Sequence, residues 1–264
     1  MELHHLMVPK HTKVPILASL PHSGTYVPPD IRHRFKQNPR PILTNMDWHL
    51  EKLYDFLPEL GITVLQATHS RYVVDLNRVI KEPLFGPNVS SVISQDNTQG
   101  NLLYDASLTK EEIEARLIKY YYPYHEKLGA SLETMRWEYG HVFLLDLHSY
   151  FLYPLTDICL GNRNSGTCSE RVLTLIEQAF NEHGFSVAKN ERLTGGYITR
   201  HYGSMPNVQS LQIELRFPAY LNGDYFGEEE VTEWDCEKFR RAKSRLRAVF
   251  SEVINKGIVF HNLN

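Results

Sequence analysis

Two apolar runs in this chain carry ionisable side chains at alternate positions, and that pattern restricts the fold more than any other feature. In residues 211–215 the odd positions are leucine or isoleucine, whereas Gln212, Glu214 and the following Arg216 share the other face of an extended chain. The run Leu144-Leu145-Asp146-Leu147-His148-Ser149 repeats the arrangement, with Asp146 and His148 opposite Leu145 and Leu147. Burying a carboxylate without a partner is costly or shifts its pKa. Such strands therefore belong beside a pocket that holds a metal, a substrate or a counter-ion. Together with Pro21-His22-Ser23-Gly24 they suggest a metal-dependent hydrolase.

Composition narrows the setting. The chain has 264 residues, 42% hydrophobic and 22% charged, enough to bury one large core or two small ones. A formal charge of -3 offers no basic surplus to attract nucleic acid or anionic lipid. No segment reaches the roughly 18 apolar residues of a membrane span. The short apolar run at 14–20 ends in Pro-His-Ser-Gly and reads as a first core strand rather than a signal-peptide core. Cys159, Cys168 and Cys236 form neither a disulfide framework nor a CxxC clip, which fits a reducing cytoplasm. Among the histidines, His4, His5, His11, His33 and His261 read as surface or terminal residues.

Along the chain, strands alternate with helices. Residues 15–20, 62–67, 72–76, 142–147, 157–160 and 209–215 have strand character. An amphipathic helix is expected over 47–60, stopped by Gly61, and another from Lys110 to Gly140, capped by Thr109 with Glu112 and broken near Pro123. Further helices are expected at 171–183, after Ser169, and at 235–256. Residues 86–104 are polar and read as a long irregular loop, a type of segment that often carries function. No repeat, linker or composition shift divides the chain. The expectation is a single α/β domain over 1–264, three layers deep, with a mixed, largely parallel sheet. Sites in such sheets gather at the carboxyl ends of strands, where His22 and His148 fall.

His22 alone is as readily a plain loop histidine as a ligand, and an aspartate such as Asp47 at a helix start is most often an N-cap. Two imidazoles and a carboxylate would make a three-ligand zinc site with an open position, but no HExxH spacing supports it locally. Ser70-Arg71-Tyr72-Val73-Val74-Asp75-Leu76-Asn77-Arg78 reads either as a solvated edge strand or as a recognition element for a substrate carboxylate, which a guanidinium fork grips bidentately. Arg200, in Gly195-Gly196-Tyr197-Ile198-Thr199-Arg200-His201-Tyr202-Gly203, is a further candidate, its glycines allowing close approach or a mobile loop. Neither Ser23 nor Ser149 sits in a GxSxG elbow, which argues against a serine hydrolase.

Taken in order, Pro21–Gly24, Ser70-Arg71, Asp75–Arg78, Asp146–Ser149, Gly195–Gly203 and Gln212–Arg216 closely resemble the N-formylglutamate amidohydrolase family. The resemblance implies a zinc-carboxypeptidase-like α/β fold and hydrolysis of N-formyl-L-glutamate to formate and glutamate, a step of histidine degradation. It implies Zn2+, or another divalent transition metal, on His22 and His148. Glu214 then resembles the general base, Arg71 the carbonyl-polarising arginine, and Asn77 with Arg78 the carboxylate clamp, to which Arg200 is added for the second carboxylate. Many members of the wider superfamily carry Glu three residues after the first histidine, where this chain has Thr25. Asp47 is the expected replacement ligand, with His49 or water as alternatives. Another N-acyl amino acid as substrate, or a non-catalytic carboxylate-binding protein, are the rival readings; oligomeric state is open.

Overall fold

Extended segments, buried at the centre and more open at the edges, form a seven-stranded sheet in the computed structural model of the chain, which describes residues 2–223 and 230–257. The elements follow as β1 (His4–Met7), β2 (Ile16–Leu20), α1 (Pro29–Arg34), α2 (Leu50–Leu53), β3 (Thr63–Ala67), β4 (Phe85–Gly86), β5 (Ile93–Ser94), α3 (Lys110–Arg116) and α4 (Tyr122–Tyr139). Then come β6 (Val142–Tyr150), β7 (Ile158–Gly161), α5 (Glu170–Glu182), β8 (Val187–Lys189), α6 (Tyr197–Gly203), β9 (Val208–Arg216) and α7 (Glu237–Asn255). The sheet order is β1-β3-β2-β6-β9-β7-β8, and β4 and β5 make a separate ribbon. The inner strands β3, β2, β6 and β9 are parallel, β1 runs against β3, and the β7–β8 pair runs against β9. The sheet is mixed and largely parallel, as the sequence suggested.

Every residue of β6 is buried, which is what a parallel strand covered on both faces requires. On one face Ile16, Phe143, Leu145 and Ile213 meet Phe180 of α5 and Phe250 of α7. On the other, α4 sets the Tyr124 hydroxyl 3.0 Å from Ser19 Oγ of β2, and α6 donates from Thr199 Oγ1 to Asp146 Oδ2 at 2.8 Å. The result is three layers, α/β/α. The described helices include none long and apolar enough to cross a membrane.

Several local expectations are corrected. Residues 47–60 are not one helix: α2 covers four residues and a 3-10 turn, Leu57–Leu60, follows. Pro58 lacks the amide hydrogen that a continuous helix would use, and His49, at φ 57°, turns the chain sharply before α2. Gly61 does end the segment, at φ 87°. Residues 72–76 are buried turns rather than a strand, because Val73 N donates to Ser70 O and the Asp75 carboxylate accepts from Asn77 N at 2.9 Å. The Thr109/Glu112 capping box is present, and the break near Pro123 is a π-helical turn, Leu117–Tyr121. The 195–203 stretch contains helix α6 rather than only a loop. Of the histidines expected at the surface, His5, His11 and His33 are exposed, His4 is half-buried in β1, and His261 lies outside the described residues.

Candidate active site

The loop after β2 carries His22 and packs against the chain leaving β3. Tyr26 N donates to Thr68 O, and Ser70 N donates to Tyr26 O. Gly24 permits this approach, since a Cβ there would lie 2.6 Å from His69 N. The Ser70–Arg78 turns are thereby laid beside His22. Asp47 is tied to the same loop, its backbone N–H donating to His22 O at 3.3 Å. It caps no helix; its carboxylate points inward. His148 lies inside β6, which runs past its expected end at 147, and pairs in register with Glu214 of β9.

Three donors converge here. Nδ1 of His148 is 2.9 Å and Nδ1 of His22 3.9 Å from Asp47 Oδ2, and the donor atoms of all three residues fall within 4.8 Å of one another. Both imidazoles are backed by buried carboxylates: His22 Nε2 is 2.7 Å from Asp75 Oδ1, and His148 Nε2 is 2.9 Å from Asp146 Oδ1. A carboxylate behind each ring fixes the tautomer that leaves Nδ1 free as a ligand and strengthens its basicity. The donor set, two imidazoles and one carboxylate, suits zinc or a similar divalent ion. His49, the alternative ligand, is engaged elsewhere, with Nε2 2.7 Å from Val231 O.

The electrostatics point the same way. Burial and the nearby Arg71 cation lower the His22 pKa despite Asp75, so this ring stays neutral. Burial also acts to lower His148, but Asp146 and Asp47 overcome it and raise its pKa well above the ordinary value. Burial would raise Asp75, yet Arg71 and His22 hold it well below the usual carboxylate range. Asp47 is likewise lowered, His148 outweighing its burial. Asp47, Asp75 and Asp146 are fully buried carboxylates, and among the described residues Arg71 is the buried arginine that pairs with one of them. The remaining negative charge calls for a proton on His148 or a bound cation.

These groups line a cavity of about 270 Å³, with Arg71, Asn77, Arg78, Gln212 and Glu214 on its walls. Arg71 Nη2 donates to Asp75 Oδ2 at 2.6 Å, while its Nε and that of Arg78 are buried without a partner among the described residues. Gln212 Nε2 donates to Glu214 Oε1 at 2.9 Å, and Gln212 Oε1 accepts from Gly196 N at 2.7 Å. Burial pushes the Glu214 pKa up to about 8, with Asp47 and Asp146 adding to the rise and His148 and Arg71 opposing it. Asn77 Oδ1 accepts from Ile198 N at 2.8 Å, which turns Nδ2 toward His148 Nε2 at 2.9 Å.

Seven of the eight residues expected at the site, His22, Asp47, Arg71, Asn77, Arg78, His148 and Glu214, line this one cavity. Arg200 does not. Helix α6 buries Ile198, Thr199 and Tyr202, which leaves Arg200 exposed on its outer face. Sequence reasoning assigned no role to Asp75, Asp146 or Gln212, although Asp146 and Gln212 share strand faces with His148 and Glu214. Arg192 and Thr194, also on the cavity wall, lie in an irregular stretch after β8 with no periodic signal.

The family model for N-formylglutamate amidohydrolase matches residues 14–221. An N-formylglutamate deformylase of Pseudomonas aeruginosa is 34% identical over 225 residues, 81% of this chain and 84% of that protein. Another, of Pseudomonas putida, is 32% identical over 224 residues, covering 79% and 82%. The crystal structure of N-formylglutamate amidohydrolase from Ralstonia eutropha matches with a TM-score of 0.80 at 28% identity, covering 96% of this chain and 98% of that one. The chain therefore belongs to the N-formylglutamate amidohydrolase family.

Proposed function

We propose that this protein hydrolyses the amide of N-formyl-L-glutamate to formate and L-glutamate as a zinc-dependent enzyme of cytoplasmic histidine degradation, and that residues 1–264 act as one catalytic domain. The observation that carries the reading is the convergence of His22, Asp47 and His148 beside Glu214, in a cavity that also presents unpartnered arginine donors. The names of the two Pseudomonas relatives support the substrate. The free thiols of Cys159, Cys168 and Cys236 are compatible with a reducing compartment.

A divalent ion on His22 Nδ1, Asp47 and His148 Nδ1 would supply Lewis-acid activation of water and of the formyl oxygen. Glu214 accepts the proton of the water that attacks the formyl carbon, then returns it to the amine nitrogen as the C–N bond breaks. Its carboxylate is oriented for this by Gln212. Arg71, steadied by Asp75, turns its remaining donors to the charge that develops on the formyl oxygen. Asn77 and Arg78 hold a substrate carboxylate. The backbone beneath them is fixed from α4 and the π-helical turn: His125 Nε2 donates to Leu76 O at 3.0 Å and Tyr121 Oη to Arg78 O at 2.7 Å.

Hydrolysis of a panel of N-formyl, N-acetyl and N-succinyl amino acids tests the assignment. N-formyl-L-glutamate is expected to have the highest kcat/KM; a clear preference for another acyl group or for a neutral side chain would replace it. In the same assay Arg200→Met is expected to stay within about twofold of wild type, as for an exposed residue whose side chain is not part of the cavity lining.

Gly196 gives a steric test. Its φ of -82° is open to any residue, but an added Cβ would lie 2.6 Å from Asn77 Oδ1 and 2.7 Å from Asn77 Cγ. Asn77 is short and pinned by Ile198 N, so it has to move as a whole. Gly196→Ala is expected to lower kcat/KM by on the order of 10²-fold, the usual result of a displacement near 1 Å in a reacting site. Wild-type kinetics in that variant would show that Asn77 does not position the substrate.

A further inference from the structure

Three arginines line the cavity: Arg71, Arg78 and Arg192. Arg71 is committed to Asp75 at 2.6 Å. That leaves Arg78 and Arg192 without a carboxylate partner among the described residues. Arg78 makes only long contacts of 3.4 Å, to Asn77 O and Asn88 O. Among the described residues, the Arg192 guanidinium meets only the ring of Tyr153, whose centroid is 4.9 Å from the guanidinium carbon. A ring face attracts the cation without using its N–H groups, so the five donors of Arg192 remain available.

The chain holds Arg192 at this wall in an unusual way. Its φ is +62°, in the left-handed region that non-glycine residues rarely occupy. The surrounding loop is anchored independently of the Arg192 side chain. Arg163 N donates to Thr194 O at 2.7 Å, Arg163 Nη1 reaches Thr194 Oγ1 and Gly195 O at 3.3 Å, and Gly196 N donates to Gln212 Oε1. Arg163 is thus spent on shaping the loop, whereas Arg192 is presented by it.

The geometry points to Arg192 as the residue that selects an acidic side chain, receiving the second carboxylate of a dicarboxylic amino acid while Arg78 and Asn77 take the first. This deepens the proposed function and rests on it for the reaction, though not for the binding preference. Two cations free of carboxylate partners match two carboxylates, and Tyr153 keeps the guanidinium at the cavity mouth until a ligand arrives.

The test is calorimetric titration of the purified protein with L-glutamate and with L-glutamine, which differ in side-chain charge and hardly in shape. Wild type is expected to favour glutamate by about tenfold or more, the lower range for a charge-assisted hydrogen bond. Arg192→Met should abolish that preference, Arg192→Lys should keep part of it because the charge stays and the fork is lost, and Arg200→Met should keep all of it. Circular dichroism checks the fold of each variant. No glutamate preference in wild type, or an undiminished one in Arg192→Met, overturns the assignment. If wild type fails to hydrolyse N-formyl-L-glutamate yet shows an Arg192-dependent preference, the reaction is wrong and the receptor stands.

Discussion

Glu214→Gln is expected to lower kcat on N-formyl-L-glutamate by roughly 10²–10⁴-fold, the usual worth of a general base, with little change in fold or metal content. Glutamine is nearly the same size and cannot take a proton. Its side-chain oxygen can still accept from Gln212 Nε2, the bond that orients Glu214 Oε1. The substitution therefore separates proton transfer from packing. Glu214 is also the group whose proton affinity the site perturbs toward the working range, since burial carries its pKa to about 8. Positive charge held by His22, Asp47 and His148 would draw that value down again and favour the ionised base. Steady-state kinetics with a parallel metal assay decide the matter. Turnover equal to wild type would make Glu214 a structural residue.

His148→Ala is expected to abolish stoichiometric zinc binding, read by elemental analysis and by titration of chelator-treated protein. The substitution removes one donor of three and leaves Asp47 and Asp146 facing each other without the ring that separates them. Some loss of stability is expected with it, because buried carboxylates lose a hydrogen-bond partner. Asp146→Asn supplies a gentler version. It keeps the His148 ring and removes the charge behind Nε2, and should weaken zinc binding by about 10–100-fold while the protein stays folded. Undiminished zinc affinity in both variants would dismiss the three-residue metal site.

The two variants also divide what was legible in the sequence from what was not. The metal-capable faces of β6 and β9 could be read directly, because side chains alternate across a strand and a polar residue every second position declares a face wherever the strand ends up. The Thr109 capping box, the Ser169 cap and the stop at Gly61 were legible for a similar reason, each being a contact among residues close in sequence. Residues 47–60 misled because their apolar spacing suits a helix, while Pro58 and the left-handed His49 break it, and Asp47 is held by His22 from another part of the chain. The 72–76 segment misled because its β-branched and aromatic residues are buried by tertiary packing around turns.

The sequence by itself determined the family and the layered α/β architecture, and it named His22, Arg71, Asn77, Arg78, His148 and Glu214 as candidates that the fold brings to one cavity, since residue type and strand periodicity are local properties. Only the tertiary structure decided which atoms meet. The Asp75 and Asp146 carboxylates behind the two imidazoles join residues 53 and 2 positions apart, and Asp47 reaches His148 across 101. Arg192 rather than Arg200 lines the cavity because α6 packs Ile198, Thr199 and Tyr202 inward. The phase of a helix against its sheet is set by the whole core, which no window of sequence contains.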